Sequence, residues 1–352
     1  MAGKKPEKRE NKHDVHKTNS TKITFYELEP WEKEYIQKHH AHITPTYVDG
    51  FLNEKNVNKA KDAEAIAVFT YSKVDKKALD NMPNLKLIAT MSTGFDHIDL
   101  QECQKRGIKI SNVPAYGERT VAEFTMALML CLSRKIFQSA ESVKTEWLFR
   151  NQGLRGFDLQ NKILGVVGGG KIGMNVVRLA KAFDMRILVY DVIKNDRLAQ
   201  ELGFRYAELK ELLQKSDIVT LHVPLNKYTE HILNKDNMRY MKKGVYLINT
   251  SRGSVIETDA LLKALDSGII AAAALDVLEG EKCLKDKGSI ESCDVLIKAD
   301  HELMKMPNVI VTPHNAFNSK EAIERIFFTT LDNIKNFFLE GRCTNEVMVK
   351  GG

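Results

Sequence analysis

Apolar residues in this chain gather into short runs separated by stretches of helical period. The clearest run, ILGVV at residues 163–167, leads into Gly168, Gly170 and Gly173 and then into residues 174–183, where apolar positions recur as on a helix. RILVY follows and ends on Asp191. Four more runs come after it, DIVTLHVP, GVYLINTSRG, IIAAAALD and NVIVTPH, which makes six predicted strands. Predicted helices separate most of them, at residues 207–215, 234–241 and 259–267, and such a β-α-β alternation implies a parallel sheet. Upstream, ITFYEL, AIAVFTY, LKLIATMS and IKISNV predict a second, separate open α/β unit. A long helix at residues 319–340, closed by Gly341, carries Ile323, Ile326, Phe327, Ile334, Phe337 and Phe338 and is expected to pack back onto that unit. The upstream unit is then discontinuous, with crossings near residues 114–120 and 316–319. The helix at residues 121–132 is apolar on nearly all sides, so it is expected to be buried, within the chain or against a second copy.

The glycine spacing G-x-G-x-x-G, set between strand and helix, predicts a dinucleotide site. Gly168 permits the tight turn, Gly170 lets a pyrophosphate approach the backbone at the helix N-terminus, and Gly173 lets helix and strand pack closely. Asp191, at the end of the next strand, is placed to accept hydrogen bonds from both adenosine ribose hydroxyls. It would repel a 2′-phosphate, which favours NAD over NADP. A solvated carboxylate at a strand end is the plainer alternative.

Ligands of a parallel sheet bind beyond the carboxyl ends of its strands. Asp191, His222, Arg252, Asp276 and His314 each follow an apolar run, so they should line one edge. His222 is expected near the cofactor but outside the chemistry.

Composition changes this picture little. The 352 residues, 43% hydrophobic and 28% charged, suit two globular domains. Half of the net charge of +6 lies in residues 1–20, an apolar-poor tail expected to be disordered. Five scattered cysteines, with neither a C-x-x-C pair nor clustered histidines, predict reduced thiols, no metal site and a cytoplasmic protein. No apolar signal region or spanning helix is evident, so neither a membrane nor a nucleic-acid partner is expected.

The ordered motifs STGFDHIDL, NVPAYGERTVAEF, GVVGGGKIG, NTSRG, ALDVLEGE and NVIVTPHNAF resemble those of the D-2-hydroxyacid dehydrogenases, over nearly everything from residue 21 onward. The resemblance implies a Rossmann NAD-binding domain, residues 118–317, inserted into a flavodoxin-like substrate domain, residues 21–117 and 318–352, both with open parallel sheets. It implies Arg252, Glu281 and His314 as the catalytic set, with Asp276 at the nicotinamide amide. Gly168, Gly170, Lys171, Ile172, Gly173, Asp191, Val223, Pro224, Thr229 and Thr250 match the cofactor-side positions. Glu279 stands two residues before Glu281, and only the family pattern, Asp276 plus five, selects between them. For the substrate, the resemblance implies backbone N–H groups at Ser92, Thr93 and Gly94, the Arg252 guanidinium, and pocket positions Phe69 and Tyr116, all of which suit a small 2-oxo acid.

The chemistry of these residue types agrees. Reducing a 2-oxo acid needs a proton donor titrating near neutrality, which histidine is. An adjacent carboxylate favours its protonated form, and arginine's fork suits bidentate capture of a carboxylate. The LEGE segment, the stretch of some two dozen residues after it, and HNAF look most like the D-lactate dehydrogenase branch. Asn318, where that branch usually has a tyrosine, departs from it and bears on substrate specificity. The expectation is therefore an NAD-dependent homodimer reducing pyruvate to D-lactate. Its alternatives are a glyoxylate or hydroxypyruvate reductase and an NAD-sensing, corepressor-like interaction protein.

Overall fold

A computed structural model describes residues 20–40, 43–145, 147, 149–281, 284 and 293–348. The expected basic tail, but for Ser20, lies outside the described residues, as does Cys283. The chain divides into two compact units, residues 1–112 with 329–352, and residues 113–328.

In the first unit, β1 (Thr21–Tyr26), β2 (Ile43–Val48), β3 (Ala65–Val68), β4 (Leu87–Thr90) and β5 (Lys109–Ser111) form a parallel sheet ordered β2-β1-β3-β4-β5. Helices α1 (Pro30–His39), α2 (Lys76–Asp80) and α3 (Leu100–Lys105) connect its strands. The central strands β3 and β4 are buried at every position, as a parallel strand covered on both faces must be. The sequence reading found four strands here and missed β2. That strand, ITPTYV, carries Pro45 and is buried only at its two ends. It lies at the sheet edge, where a missing N–H is tolerated, and so lacks the apolar run that marks its neighbours.

Among the described residues, the second unit holds seven parallel strands rather than the six expected. They are β6 (Ile163–Val167), β7 (Arg186–Tyr190), β8 (Arg205–Tyr206), β9 (Ile218–Leu221), β10 (Val245–Asn249), β11 (Ile270–Leu275) and β12 (Val309–Val311), ordered β12-β11-β10-β9-β6-β7-β8. The extra strand, β8, is two residues long, too short to leave an apolar signature. Helices α4 (Glu118–Arg134), α5 (Ile136–Thr145), α6 (Lys171–Lys181), α7 (Asp196–Leu202), α8 (Leu209–Lys215), α9 (Lys235–Met238), α10 (Thr258–Asp266) and α11 (Cys293–Lys305) surround or connect the strands. The last helix, α12 (Lys320–Glu340), starts in this unit and ends in the first. There Asn333 Nδ2 donates to the Asn112 carbonyl at 2.9 Å, and Asn345 Nδ2 to Asn333 Oδ1 at 3.0 Å.

The expectation of a helix buried on all sides is met on one face only: Glu123 and Ala127 stay exposed, and Phe124, Leu130 and Cys131 are half-buried. Val121, Ala122, Met126, Leu128, Met129 and Leu132 of α4 are buried, and the helix packs on α6, β10 and β11. Exposed apolar surface appears instead on α5, at Ile136, Phe137 and Val143, and beyond it at Trp147 and Phe149, which are 88% and 96% exposed. Among the described residues no helix is long and apolar enough to cross a membrane, and no group of three His, Cys, Asp or Glu could hold a metal ion.

Register aligns the edge that matters. Val167 pairs with Tyr190 on one side and Leu221 on the other, Leu221 with Asn249, Asn249 with Leu275, and Leu275 with Val311. The residues that follow, Gly168, Asp191, His222, Thr250, Asp276 and Thr312, therefore stand along one carboxyl edge. Strand order reverses between β6 and β9, the kind of switch point where such sheets open a crevice.

Candidate active site and cofactor edge

The edge begins with the glycine turn. Gly168 holds φ +104°, a conformation that L side chains rarely adopt, and a Cβ there would meet the His222 carbonyl oxygen at 2.6 Å. A Cβ on Gly173 would overlap the carbonyl oxygen of Gly168, whereas one on Gly170 would meet nothing. Gly170 is also the N-cap of α6, which begins at Lys171, three residues earlier than the period alone suggested. Open space thus stands beside the N-terminus of α6, where a helix leaves its first N–H groups without intrahelical partners, which fits a pyrophosphate. Asp191 Oδ2 accepts from Gly169 N at 2.6 Å and Oδ1 from Ile193 N at 2.8 Å. These bonds aim the carboxylate at the turn and leave lone pairs for ribose hydroxyls.

Other cofactor-side residues are engaged within the unit. The Lys171 ammonium pairs with Glu118 at 2.7 Å, leaving the backbone of Lys171 and Ile172 as the part that faces the turn. Thr229 closes its own loop, donating to the Pro224 carbonyl and accepting from Asn226 N at 2.9 Å, three residues beyond Val223. Thr250 Oγ1 lies 3.0 Å from Thr125 Oγ1, whose proton goes to the Val121 carbonyl, so Thr250 is the donor. His222 Nε2 meets Thr220 Oγ1 at 3.0 Å, and burial pushes its pKa down to about 3. A ring held neutral in this way donates no proton near neutral pH.

At the other end of the edge the polar groups converge. Asp276, 1% exposed, takes hydrogen bonds from Thr312 Oγ1, from Asn315 N at 2.8 Å and from Ala316 N at 2.8 Å. Burial nevertheless raises its pKa above the usual carboxylate range. The Asp276 carbonyl accepts from His314 N at 2.8 Å, and His314 stands at φ +55°, a left-handed conformation that this bracing sustains. His314 Nδ1 lies 3.2 Å from Glu281 Oε1, and both side chains are mostly buried.

Spacing alone left Glu279 and Glu281 undecided, and the structure separates them. Glu281 reaches His314, whereas Glu279 pairs with His231 Nε2 and accepts from Thr258 N at 3.2 Å and Thr258 Oγ1 at 2.8 Å. Arg252 sits on a turn built by Asn249, a residue not singled out by the sequence reading although it opens NTSRG. The Asn249 Oδ1 accepts from Ser251 N and Oγ at 3.0 and 2.8 Å, and its Nδ2 donates to the Arg252 carbonyl at 2.9 Å. A Cβ on Gly253 would overlap the Leu278 backbone, so the arginine turn rests directly on the segment that carries Glu281. Tyr116 feels the Arg252 charge, which partly offsets the rise in its pKa caused by burial.

In the first unit, the loop after β4 is shaped by hydroxyls. Ser92, 1% exposed, donates to the Gly94 carbonyl at 2.6 Å, and Thr90 Oγ1 contacts both Ser92 Oγ at 2.7 Å and His97 Nε2 at 3.2 Å. The Thr93 carbonyl accepts from Asn112 Nδ2 at 2.9 Å. The Ser92 side chain therefore braces the loop. Phe69 follows β3, half-buried, with its N–H on Glu27 Oε2 at 3.3 Å.

Known proteins point the same way. Residues 126–316 match the model of the D-isomer specific 2-hydroxyacid dehydrogenase NAD-binding domain. A 2-hydroxyacid dehydrogenase homolog of Haemophilus influenzae is 37% identical, the match covering 93% of this chain and 99% of the relative. A glyoxylate reductase of Thermofilum pendens is 39% identical over 78% of each chain. The crystal structure of the Aquifex aeolicus D-lactate dehydrogenase, complexed with NAD and lactic acid, superposes with a TM-score of 0.83 at 35% identity, covering 93% of this chain and 100% of that one. With a glycine turn and a histidine paired with a glutamate on one sheet edge, the chain belongs to the NAD-dependent D-isomer specific 2-hydroxyacid dehydrogenases.

Proposed function

We propose that the protein reduces a short 2-oxo acid, pyruvate first, to the D-2-hydroxy acid. The observation that carries this reading is the His314–Glu281 pair, 3.2 Å apart and mostly withdrawn from water, beside the turn that presents Arg252. NADH, when bound, supplies the hydride that C2 receives. His314 Nε2 gives its proton to the developing alkoxide, while Glu281 holds Nδ1–H and favours the charged ring before transfer. Arg252 takes the substrate carboxylate in its fork. Tyr116 limits the side chain beyond C2, and Asp276 orients the nicotinamide amide.

Pyruvate leads because the Aquifex aeolicus relative is a D-lactate dehydrogenase complexed with lactic acid. Glyoxylate is the second reading, favoured by the Thermofilum pendens relative. NADH oxidation with pyruvate, phenylpyruvate, 2-oxoisocaproate, glyoxylate and hydroxypyruvate, against His314→Ala as blank, decides between them. The expected outcome is fastest turnover on pyruvate. Glyoxylate in the lead selects the second reading, and NADH binding without turnover rejects both.

The same reading takes a cytoplasmic homodimer as the active form. Its support is the exposed apolar face of α5 with Trp147 and Phe149 beyond it, a surface of the kind that marks a partner. A monomeric mass by light scattering would remove that element and leave the chemistry untouched.

A further inference from the structure

Glu281 follows a turn whose amide at Gly280 is held from a distance. Asp300, on α11 and fully buried, accepts from Gly280 N at 2.9 Å through Oδ2, while its Oδ1 is buried with no hydrogen-bond partner among the described residues. The approach depends on glycine, because a Cβ at position 280 would lie 2.6 Å from Asp300 Oδ2. On the other side of the same amide, Glu279 is pinned by His231 and Thr258. Burying a carboxylate with one oxygen unsatisfied costs stability, and an apolar residue would fill the inner face of α11 at lower cost. What the carboxylate alone does is grip the peptide next to Glu281.

We infer that Asp300 is a positioning residue for the Glu281–His314 pair, holding Glu281 in place through the Gly280 amide and adding a negative charge that helps the pair keep its proton. The charged groups that act on Asp300 are Glu279 and Glu281, both on the turn. Burial is the larger influence, and together with them it pushes the Asp300 pKa up to about 6. Asp300 therefore ionises just below neutrality. Above that point it adds a negative charge beside the turn that carries Glu281.

The inference rests on reading Glu281 and His314 as the proton donor pair, so Glu281→Gln is measured beside it. Asp300→Ala should lower kcat about tenfold, because Glu281 loses its alignment, and leave the KM for NADH unchanged. Asp300→Asn keeps an acceptor for Gly280 N–H and should recover most of kcat. The alkaline limb of its pH profile for 2-oxo acid reduction should move to lower pH, a shift that a merely structural residue would not produce. If Glu281→Gln cuts kcat but Asp300→Ala does not, and the Asn profile matches wild type, the inference is overturned and the donor pair stands. If Glu281→Gln is itself as fast as wild type, the donor pair fails. Should Asp300→Ala not fold, an unshifted Asn profile is enough to overturn the inference.

Discussion

Two turns on one sheet edge are held in opposite ways. The glycine turn at residues 168–173 takes its shape from missing side chains: Gly168 at φ +104° against the His222 carbonyl, and Gly173 against Gly168, with Asp191 as the one side chain bonded to its backbone among the described residues. The turn at residues 276–281 takes its shape from side chains and backbone brought from elsewhere. Thr312, Asn315 and Ala316 hold Asp276, His231 and Thr258 hold Glu279, Asp300 holds Gly280, and His314 meets Glu281. The first must leave room for a pyrophosphate, and small local residues achieve that. The second must keep ionisable groups aligned and nearly dry, and each such group needs a partner that its own segment cannot supply.

The two turns should therefore fail differently. The largest effect is expected from His314→Ala, which should cut turnover by roughly 10²- to 10⁴-fold while NADH affinity, read by fluorescence titration, stays as it was. Loss of both would make the polar turn a structural device and erase the contrast. Gly173→Ala should do the reverse in kind, forcing helix and turn apart at about 1–3 kcal/mol, seen as a lower unfolding midpoint and weaker NADH binding together. An alanine enzyme with native NADH affinity would mean that the close approach is not needed. Arg252→Lys should lose the fork, raising KM for the 2-oxo acid and lowering kcat, by about tenfold or more in kcat/KM. Asp191→Ala removes a brace and a ribose acceptor at once, so NADH should weaken by about tenfold and NADPH by less. Equal losses for the two cofactors would count against the ribose assignment.

The last contrast is with pH. The folded-state pKa of Asp300 lies above its ordinary value of 3.8, at about 6, so the folded protein prefers the protonated acid. Its contribution to stability is complete below pH 3.8 and is lost as pH rises through about 6, a change of up to about 3 kcal/mol. Asp300→Asn should flatten that slope in unfolding curves taken from pH 4 to 7, whereas Gly173→Ala should lower every point alike. A wild-type slope in the Asn variant would show that the buried carboxyl does not titrate with folding.

Particular residues explain what could be read in advance. The long strands of the larger sheet announced themselves as apolar runs, and their ends put Asp191, His222, Asp276 and His314 on one edge before any coordinates. β2 stayed hidden because Pro45 and solvent-facing residues break its run, and β8 because two residues have no period. Helix α4 was expected to be buried, which holds for one face, but its sequence did not say against what, and α6, β10 and β11 turned out to cover that face. Asp300 gave no signal at all: an acid on a charged helix reads as solvated, and only packing turns it inward.

The sequence by itself determined the parallel α/β character, the cofactor turn and the residue types at the strand ends. These follow from short-range rules, in which apolar runs must be buried and glycine alone tolerates a positive φ or a near-touching carbonyl. Only the tertiary structure decided that Asn249 and Gly253 set the arginine turn on the LEGE segment and that a carboxylate 20 residues further on grips Gly280, and it brought Glu281, already chosen by the family pattern, to the histidine. Hydrogen bonds and charges act across space at a few ångströms, and the neighbours they require are chosen by packing, which residue order does not spell out.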